Sequence, residues 1–88
     1  MDVIAVYPGT FDPVTHGHAD VADRASRMFH RVIISVAANP SKQPFFSLEE
    51  RVAFAETVFA DNSNIEVRSF DSLLVEYARE QGAGAILR

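Results

Sequence analysis

The residues best suited to chemistry stand together near the amino terminus, in residues 9–18, which read GTFDPVTHGH. This segment follows a short apolar run, residues 3–6, and precedes a stretch whose apolar residues have helical spacing. A strand that leads through a glycine-bearing loop into a helix can bind phosphate, because unpaired backbone N–H groups and the helix dipole favour an anion there. His18 falls in the first turn of this predicted helix and could contact a bound phosphate. The Walker and dinucleotide-binding glycine patterns are both missing, so the two commonest phosphate loops are excluded.

The elements that must position this segment alternate between strand and helix. Apolar runs predict strands at 3–7, 31–37, 65–68 and 85–87, and helical spacing predicts helices at 17–29, from the Ser47 cap to about 60, and at 72–81. The order βαβαβαβ predicts an α/β fold with a parallel sheet and right-handed crossovers. In such sheets ligands bind beyond the carboxyl ends of the strands, where the strand order reverses.

Two of the predicted helices have apolar faces that should pack on the sheet. His18 lies four residues before Ala22 and is expected on the same face of the first helix. Ser47 and Glu50 form a capping box at the start of the second helix. The expected packing residues are Val21, Ala22, Ala25, Met28 and Phe29 in the first helix, and Leu48, Val52, Ala55 and Phe59 in the second.

Composition excludes several classes of protein. The 88 residues allow one domain at most, and 48% hydrophobic with 23% charged residues is ordinary globular composition. A net charge of −4 argues against nucleic-acid binding, which needs a basic face. The absence of cysteine rules out disulfides and thiolate metal sites and fits a reducing cytoplasm. No apolar run approaches the roughly 20 residues needed to span a membrane, and no leader-like segment is expected.

Residues 15–18, THGH, resemble the T/H-x-G-H signature of the nucleotidylyltransferase superfamily. The longer strings YPGTFDP at 7–13 and PFFSLEERV at 44–52 are similar to bacterial phosphopantetheine adenylyltransferases. Those enzymes make dephospho-coenzyme A and pyrophosphate from ATP and 4′-phosphopantetheine. The resemblance covers the whole chain. It implies a Rossmann-like nucleotidylyltransferase fold, with residues 1–88 as the N-terminal βαβαβαβ portion of a single domain, and a strand order that reverses between the first and fourth strands.

The same resemblance implies roles for individual residues on the ATP side. His18 is the expected catalytic residue, which contacts the α-phosphate of ATP and stabilises the transition state without a covalent intermediate. Thr10 and Phe11 are expected to contact ATP through their backbone. From the residues alone, a satisfied, partly buried histidine is the alternative interpretation of His18, and a hydroxyl that caps a local turn is the alternative for Thr10. The protonation state of His18 stays open, because a helix N-terminus lowers its pKa while a polyphosphate raises it.

On the acceptor side, the resemblance assigns the phosphate of 4′-phosphopantetheine to Thr10, Lys42 and Arg88. Thr10 and Arg88 follow the ends of the first and fourth strands and should converge on one crevice. Leu74 is expected to line the pantetheine arm. Solvation of the Lys42 side chain and core packing of Leu74 are the alternative interpretations.

Smaller features of the glycine-bearing loop also carry expectations. Asp12, which precedes Pro13, is expected to shape the turn, and Gly9 and Gly17 are expected to permit close backbone approach. His16 has no assigned role, and a metal pair with His18 would lack a third ligand nearby.

The resemblance also implies Mg²⁺ bound with ATP, no dedicated protein metal site, a cytoplasmic enzyme and a homo-oligomer, specifically a hexamer. Another nucleotidylyltransferase, specific for a cytidylyl group or nicotinamide mononucleotide, is the first alternative. A non-catalytic binding or assembly module is the second. Members of the family continue past the position of Arg88, and their later elements hold much of the adenine and triphosphate. We therefore expect residues 1–88 alone to give at most a trace of adenylyl transfer.

Overall fold

The computed structural model describes residues 2–40 and 43–88, and within them every predicted element forms. The first and second helices both start and end within about two residues of the predicted positions. The third helix starts two residues later than predicted. The elements are β1 (Ile4–Gly9), α1 (His16–Met28), β2 (Arg31–Ala37), α2 (Leu48–Val58), β3 (Ile65–Phe70), α3 (Leu74–Glu80) and β4 (Ala85–Ile86). The predicted α/β class is confirmed.

The four strands form one sheet in the order β3-β2-β1-β4, and every neighbouring pair is parallel. β1 pairs with β2 on one side and with β4 on the other, so the strand order reverses at β1. The expected reversal between the first and fourth strands is therefore confirmed. Gly9 pairs with Val36 and Ala37 pairs with Phe70, which places the carboxyl ends of three strands along one edge.

The core lies on both faces of the sheet, as the continuous apolar run in β2 predicts. Val32, Ile34 and Val36 pack on the face that α1 and α2 cover, together with buried residues of those helices. Ile33 packs on the opposite face with Tyr77 of α3. Side chains of β2 therefore alternate between the two faces of the sheet and pack against a helix layer on each face.

The predicted packing face of α2 is correct, but that of α1 is too wide. Ala22 and Ala25 are buried and Phe29 packs against them, whereas Val21 and Met28 are exposed. At about 100° per residue, Val21 and Met28 fall on the flank of the stripe that those three residues form. Small side chains at the centre of the stripe bring α1 close to the sheet and leave its flank in solvent.

The capping box at the start of α2 forms as predicted, and a substitution at its cap residue tests it directly. Ser47 Oγ accepts from the Glu50 N–H at 3.2 Å, and Glu50 Oε1 accepts from the Ser47 N–H at 3.1 Å. We expect Ser47→Ala to lower the free energy of unfolding by about 1 kcal/mol in urea titration, because the Glu50 N–H at the helix start loses its acceptor. Ser63→Ala, in an exposed turn, is the control and should stay within about 0.5 kcal/mol of the parent. Equal effects of the two substitutions would contradict the assigned cap.

Candidate functional site

The candidate site lies where β1 ends and α1 begins. Thr10 is half-buried, and Phe11 is only 3% exposed although it is an aromatic residue in a loop. The φ angle of Phe11 is 49°, a left-handed conformation that costs a non-glycine residue on the order of 1–3 kcal/mol. Packing holds it there: the Phe11 ring contacts Tyr7 edge-on at 5.5 Å between centroids and His18 at 4.8 Å. The loop backbone at Thr10 and Phe11 is thus fixed by the core beneath it.

Gly9 and Gly17 differ in what surrounds them. A Cβ at Gly9 would lie 3.1 Å from the Phe11 ring, so a side chain there would push the ring by a few tenths of an ångström. A Cβ at Gly17 would meet only Thr15 Oγ1, at 3.6 Å, which is ordinary contact. The close approach expected at Gly9 is therefore made by the protein itself, while the surface over Gly17 is open to a ligand.

His18 is held by the residue that caps its own helix. Thr15 is the N-cap of α1; its N–H donates to His18 Nδ1 at 3.0 Å, and its Oγ1 accepts from the His18 N–H at 3.3 Å. Because Nδ1 accepts this bond, it carries no proton, and the neutral ring keeps its hydrogen on Nε2. Burial lowers the pKa of His18 below its ordinary value, which also favours the neutral form. The geometry therefore favours a neutral His18 ring that can donate through Nε2.

Arg51 is a functional candidate that the sequence interpretation missed. Its side chain is 1% exposed and donates to three carbonyls: Nε to Phe46 at 3.1 Å, and Nη1 to Thr10 at 3.0 Å and Ala37 at 2.8 Å. A signal was present, because Arg51 falls three residues after Leu48 on the apolar face of α2. A charged residue on such a face is almost never fully buried unless it is partnered.

Asp12 joins the same region from the opposite side, which differs from the expected role. Its carboxylate accepts from the N–H of Phe45 at 2.6 Å and of Phe46 at 2.9 Å. It therefore ties the β1–α1 loop to a segment more than thirty residues away, rather than shaping only its own turn. Local sequence around Asp12 and Pro13 does not reveal this partner.

The structure brings some of the predicted site residues together and leaves others apart. Thr10, Phe11 and His18 share one corner, at the carboxyl end of β1. Leu87 donates to the Val6 carbonyl at 2.8 Å, which extends the β4 pairing and sets the exposed Arg88 along the same edge. Lys42 lies outside the described residues.

Leu74 is half-buried and packs against the core layer that contains Tyr77, in agreement with the alternative interpretation of core packing, while its role toward pantetheine stays a prediction. Leu73, which caps α3, is 71% exposed. Of the two leucines, Leu73 offers the larger apolar surface to solvent.

Four of the five arginines away from the site lie in ion pairs. Glu66 pairs with both Arg31 and Arg68, and two pairs lie along the outer face of α1. In residues 2–40 and 43–88, neither Arg51 nor Arg88 forms an ion pair with a carboxylate side chain.

The residues that the structure describes contain no group of three His, Asp or Glu side chains able to hold a metal ion. Among the described helices, none has the length and apolar character to cross a membrane.

An open parallel sheet with an anion-ready helix N-terminus at its point of reversal is the architecture of nucleotide-binding α/β proteins. Within that class, the chain belongs to the cytidylyltransferase-like family, because the family model matches residues 6–88. The chain is 56% identical over all 88 residues to phosphopantetheine adenylyltransferase of Thioalkalivibrio sulfidiphilus. It spans 55% of the length of that relative.

Solved structures of nucleotidylyltransferases share the fold at low sequence identity. Nicotinic acid mononucleotide adenylyltransferase of Plasmodium falciparum, complexed with NaAD, superposes with a TM-score of 0.76 at 17% identity, over 97% of this chain and 49% of that one. The NadR protein in complex with NAD and AMP-PNP gives a TM-score of 0.73 at 22% identity, over 93% and 26%. The predicted Rossmann-like nucleotidylyltransferase fold is confirmed.

The proton state of His18 leads to a pH-dependence of stability. Its folded pKa lies below 6.5, so between those two values the unfolded chain binds more protons than the folded one. We expect the contribution of His18 to stability to be complete above pH 6.5 and to be lost as the pH falls through the folded pKa. An NMR titration of the His18 ring gives the pKa, and urea unfolding across this range gives the stability. His18→Gln should remove this part of the pH-dependence, and a His18 midpoint at or above 6.5 would contradict the assignment.

Proposed function

We propose that the full-length protein transfers the adenylyl group of ATP to 4′-phosphopantetheine, giving dephospho-coenzyme A and pyrophosphate. The observation that carries this proposal is the fixed His18 ring, held with Nδ1 against the Thr15 cap at an open helix N-terminus. Such a site can stabilise charge on a phosphate without exchanging a proton. The choice of acceptor is supported by 56% identity to phosphopantetheine adenylyltransferase of T. sulfidiphilus over the whole chain.

In this proposal, a phosphate oxygen of 4′-phosphopantetheine attacks the α-phosphorus of ATP. A new P–O bond forms, the bond from the α-phosphorus to the bridging oxygen breaks, and pyrophosphate leaves. His18 Nε2–H donates to an α-phosphate oxygen, where charge develops in the transition state. The backbone of Thr10 and Phe11 holds ATP in line with the acceptor, so the rate gain comes from positioning and electrostatics.

The acceptor phosphate is assigned to Thr10, Lys42 and Arg88. Arg88 presents a planar fork that suits phosphate, and Lys42 supplies a point charge. Two cations offset the repulsion between two anionic reactants. We assign the pantetheine arm to the uncovered part of Leu74, and the exposed neighbour Leu73 extends that apolar surface.

Mg²⁺ accompanies ATP in this proposal, because a triphosphate needs charge neutralisation. The described residues do not form a ligand set for it, so the ion is assigned to the nucleotide and no step depends on a protein-bound metal. The bifunctional NMN adenylyltransferase/ADP ribose pyrophosphatase of Francisella tularensis is complexed with AMP and a manganese ion. A cytoplasmic location and a homo-hexamer are further proposals from the resemblance, and light scattering of the full-length protein tests the assembly.

A second candidate is transfer to another acceptor. It is favoured by the solved structures of similar fold, which are adenylyltransferases for nicotinamide-type mononucleotides. Pyrophosphate release from ATP or CTP, each tried with 4′-phosphopantetheine and with nicotinamide mononucleotide, separates the candidates. Release only with ATP and 4′-phosphopantetheine supports the proposed reaction. Release with none of the four pairs supports a non-catalytic binding module.

We expect His18→Ala in the full-length protein to lower kcat by about 10²–10³-fold, roughly 2.7–4 kcal/mol, with little change in ATP affinity. The reason is that the Nε2–H donor acts mainly on charge that develops in the transition state. His16→Ala, an exposed histidine in the same helix turn, is the matched control and should keep near-normal turnover. A folded His18→Ala protein with normal kcat would refute the catalytic role.

We expect Lys42→Ala and Arg88→Ala to weaken binding of 4′-phosphopantetheine more than binding of ATP. Each lost charge-assisted bond should cost about 1.5–3 kcal/mol of acceptor affinity. Calorimetry with each ligand separately measures the difference, and Arg79→Ala, an exposed arginine of α3, serves as the control for net charge. Equal losses for both ligands, or none, would show that these two side chains are wrongly assigned.

A further inference from the structure

Two loops of the site are joined by side chains that have no assigned part in binding either reactant. Arg51 donates from α2 to the carbonyls of Thr10 and Phe46. Asp12 accepts from the N–H groups of Phe45 and Phe46. Phe46 is therefore held on both sides, by a carboxylate on its N–H and by a guanidinium on its carbonyl. We call these bonds the Arg51–Asp12 clamp.

We propose that Arg51 is a positioning residue for the transfer reaction, which fixes the Thr10–Phe11 backbone relative to Ala37 and Phe46, the residues that bound the second loop of the site. The inference rests on the proposed function, in which the first segment holds ATP and the second loop contributes to the acceptor phosphate site. Arg51 reaches both ends of that loop, through Ala37 and Phe46, and the start of the other segment, through Thr10. One side chain thus connects the parts of the site that hold the two reactants.

The shape of the guanidinium explains why arginine is needed. Its N–H groups point in fixed, coplanar directions, so three carbonyls from three segments can be held at set angles. A lysine ammonium keeps the charge but is a compact point on a flexible stem. At 1% exposure, little water can replace a lost bond, and the described residues give Arg51 no carboxylate partner. The three carbonyls alone therefore set its orientation.

Loss of the clamp should change turnover more than binding. Each reactant keeps its own contacts, so its affinity depends little on where the other reactant lies. The transfer step depends on the distance and angle between them, and a misplacement of about 1 Å can cost on the order of 10²-fold in rate. A KM-against-kcat split therefore separates positioning from a direct binding role.

The test compares Arg51→Lys with Phe59→Leu in the full-length protein. Phe59 is buried at the opposite end of α2, so its truncation loosens the same helix without touching the clamp. We expect Arg51→Lys to lower kcat per folded molecule by about 10- to 100-fold, with the calorimetric Kd for ATP within about threefold of the parent. Phe59→Leu should lower Tm but leave kcat per folded molecule near normal. Amide hydrogen exchange at Phe45 and Phe46 should accelerate only in Arg51→Lys.

An Arg51→Lys protein with kcat within about twofold of the parent would overturn the proposal. So would a loss that Phe59→Leu reproduces at the same folded fraction. If Arg51→Lys does not fold, Asp12→Asn decides, because it replaces one of the two acceptor oxygens at the more exposed half of the clamp. Unchanged kcat and unchanged exchange in folded Asp12→Asn would also overturn it. If the parent transfers nothing to 4′-phosphopantetheine, that result refutes the proposed function and not the clamp. The clamp is then tested by the hydrogen exchange at Phe45 and Phe46 alone, and unchanged exchange in Arg51→Lys would overturn it.

Discussion

The buried guanidinium of Arg51 is the interaction on which the geometry of the candidate site depends most. Taking a cation out of water costs several kcal/mol, and here no carboxylate of the described residues offsets that cost. Three carbonyls do so instead, and they lie just beyond β1, at the end of β2 and immediately before α2. Carbonyls at buried strand ends need partners of their own, because the sheet ladder stops there. One cation, two carbonyls at strand ends and one carbonyl before α2 therefore satisfy one another, which fixes the backbone at the carboxyl edge of the sheet.

The two capping boxes of the chain show how the start of α1 is adapted to an anion. In α2 the box is Ser47 with Glu50, and a second carboxylate, Glu49, lies in the same first turn. In α1 the box is Thr15 with His18, and the first turn contains no acidic residue. A carboxylate at the position of His18 would cap the helix equally well but would repel a phosphate. A neutral imidazole makes the same bond to the cap, leaves the helix dipole unopposed and adds a donor of its own.

Sequence patterns predicted the elements well because strands and helix starts are local features. The apolar run of β2 and the capping box at Ser47 each depend on residues within a few positions of one another. The positions of Arg51 and Asp12 were missed because their partners lie between 5 and 41 residues away along the chain, mostly beyond 30. Periodicity indicates which residues turn inward but does not indicate which carbonyl or amide they will meet. The left-handed conformation of Phe11 was missed for a related reason, since it is set by the packing of its ring and not by the local sequence.

The charge distribution explains how an acidic chain can present a site for anions. The net charge is −4, yet two of the acidic residues of α1 lie beside arginines of the next turn on its outer face. Exposed pairs of this kind contribute roughly 0–1 kcal/mol to stability, so their main effect is to cancel charge locally. Because salt screens exposed charges beyond about 8 Å at physiological ionic strength, carboxylates on distant faces affect the carboxyl edge of the sheet only weakly. The potential felt by a phosphate there is set by what lies close to it: the open N-terminus of α1, the buried charge of Arg51 behind the loop, and Arg88, which pairs with no carboxylate side chain of residues 2–40 and 43–88. Net charge is therefore a poor guide to this site, and the cations and helix N-terminus that lie near it are a better one.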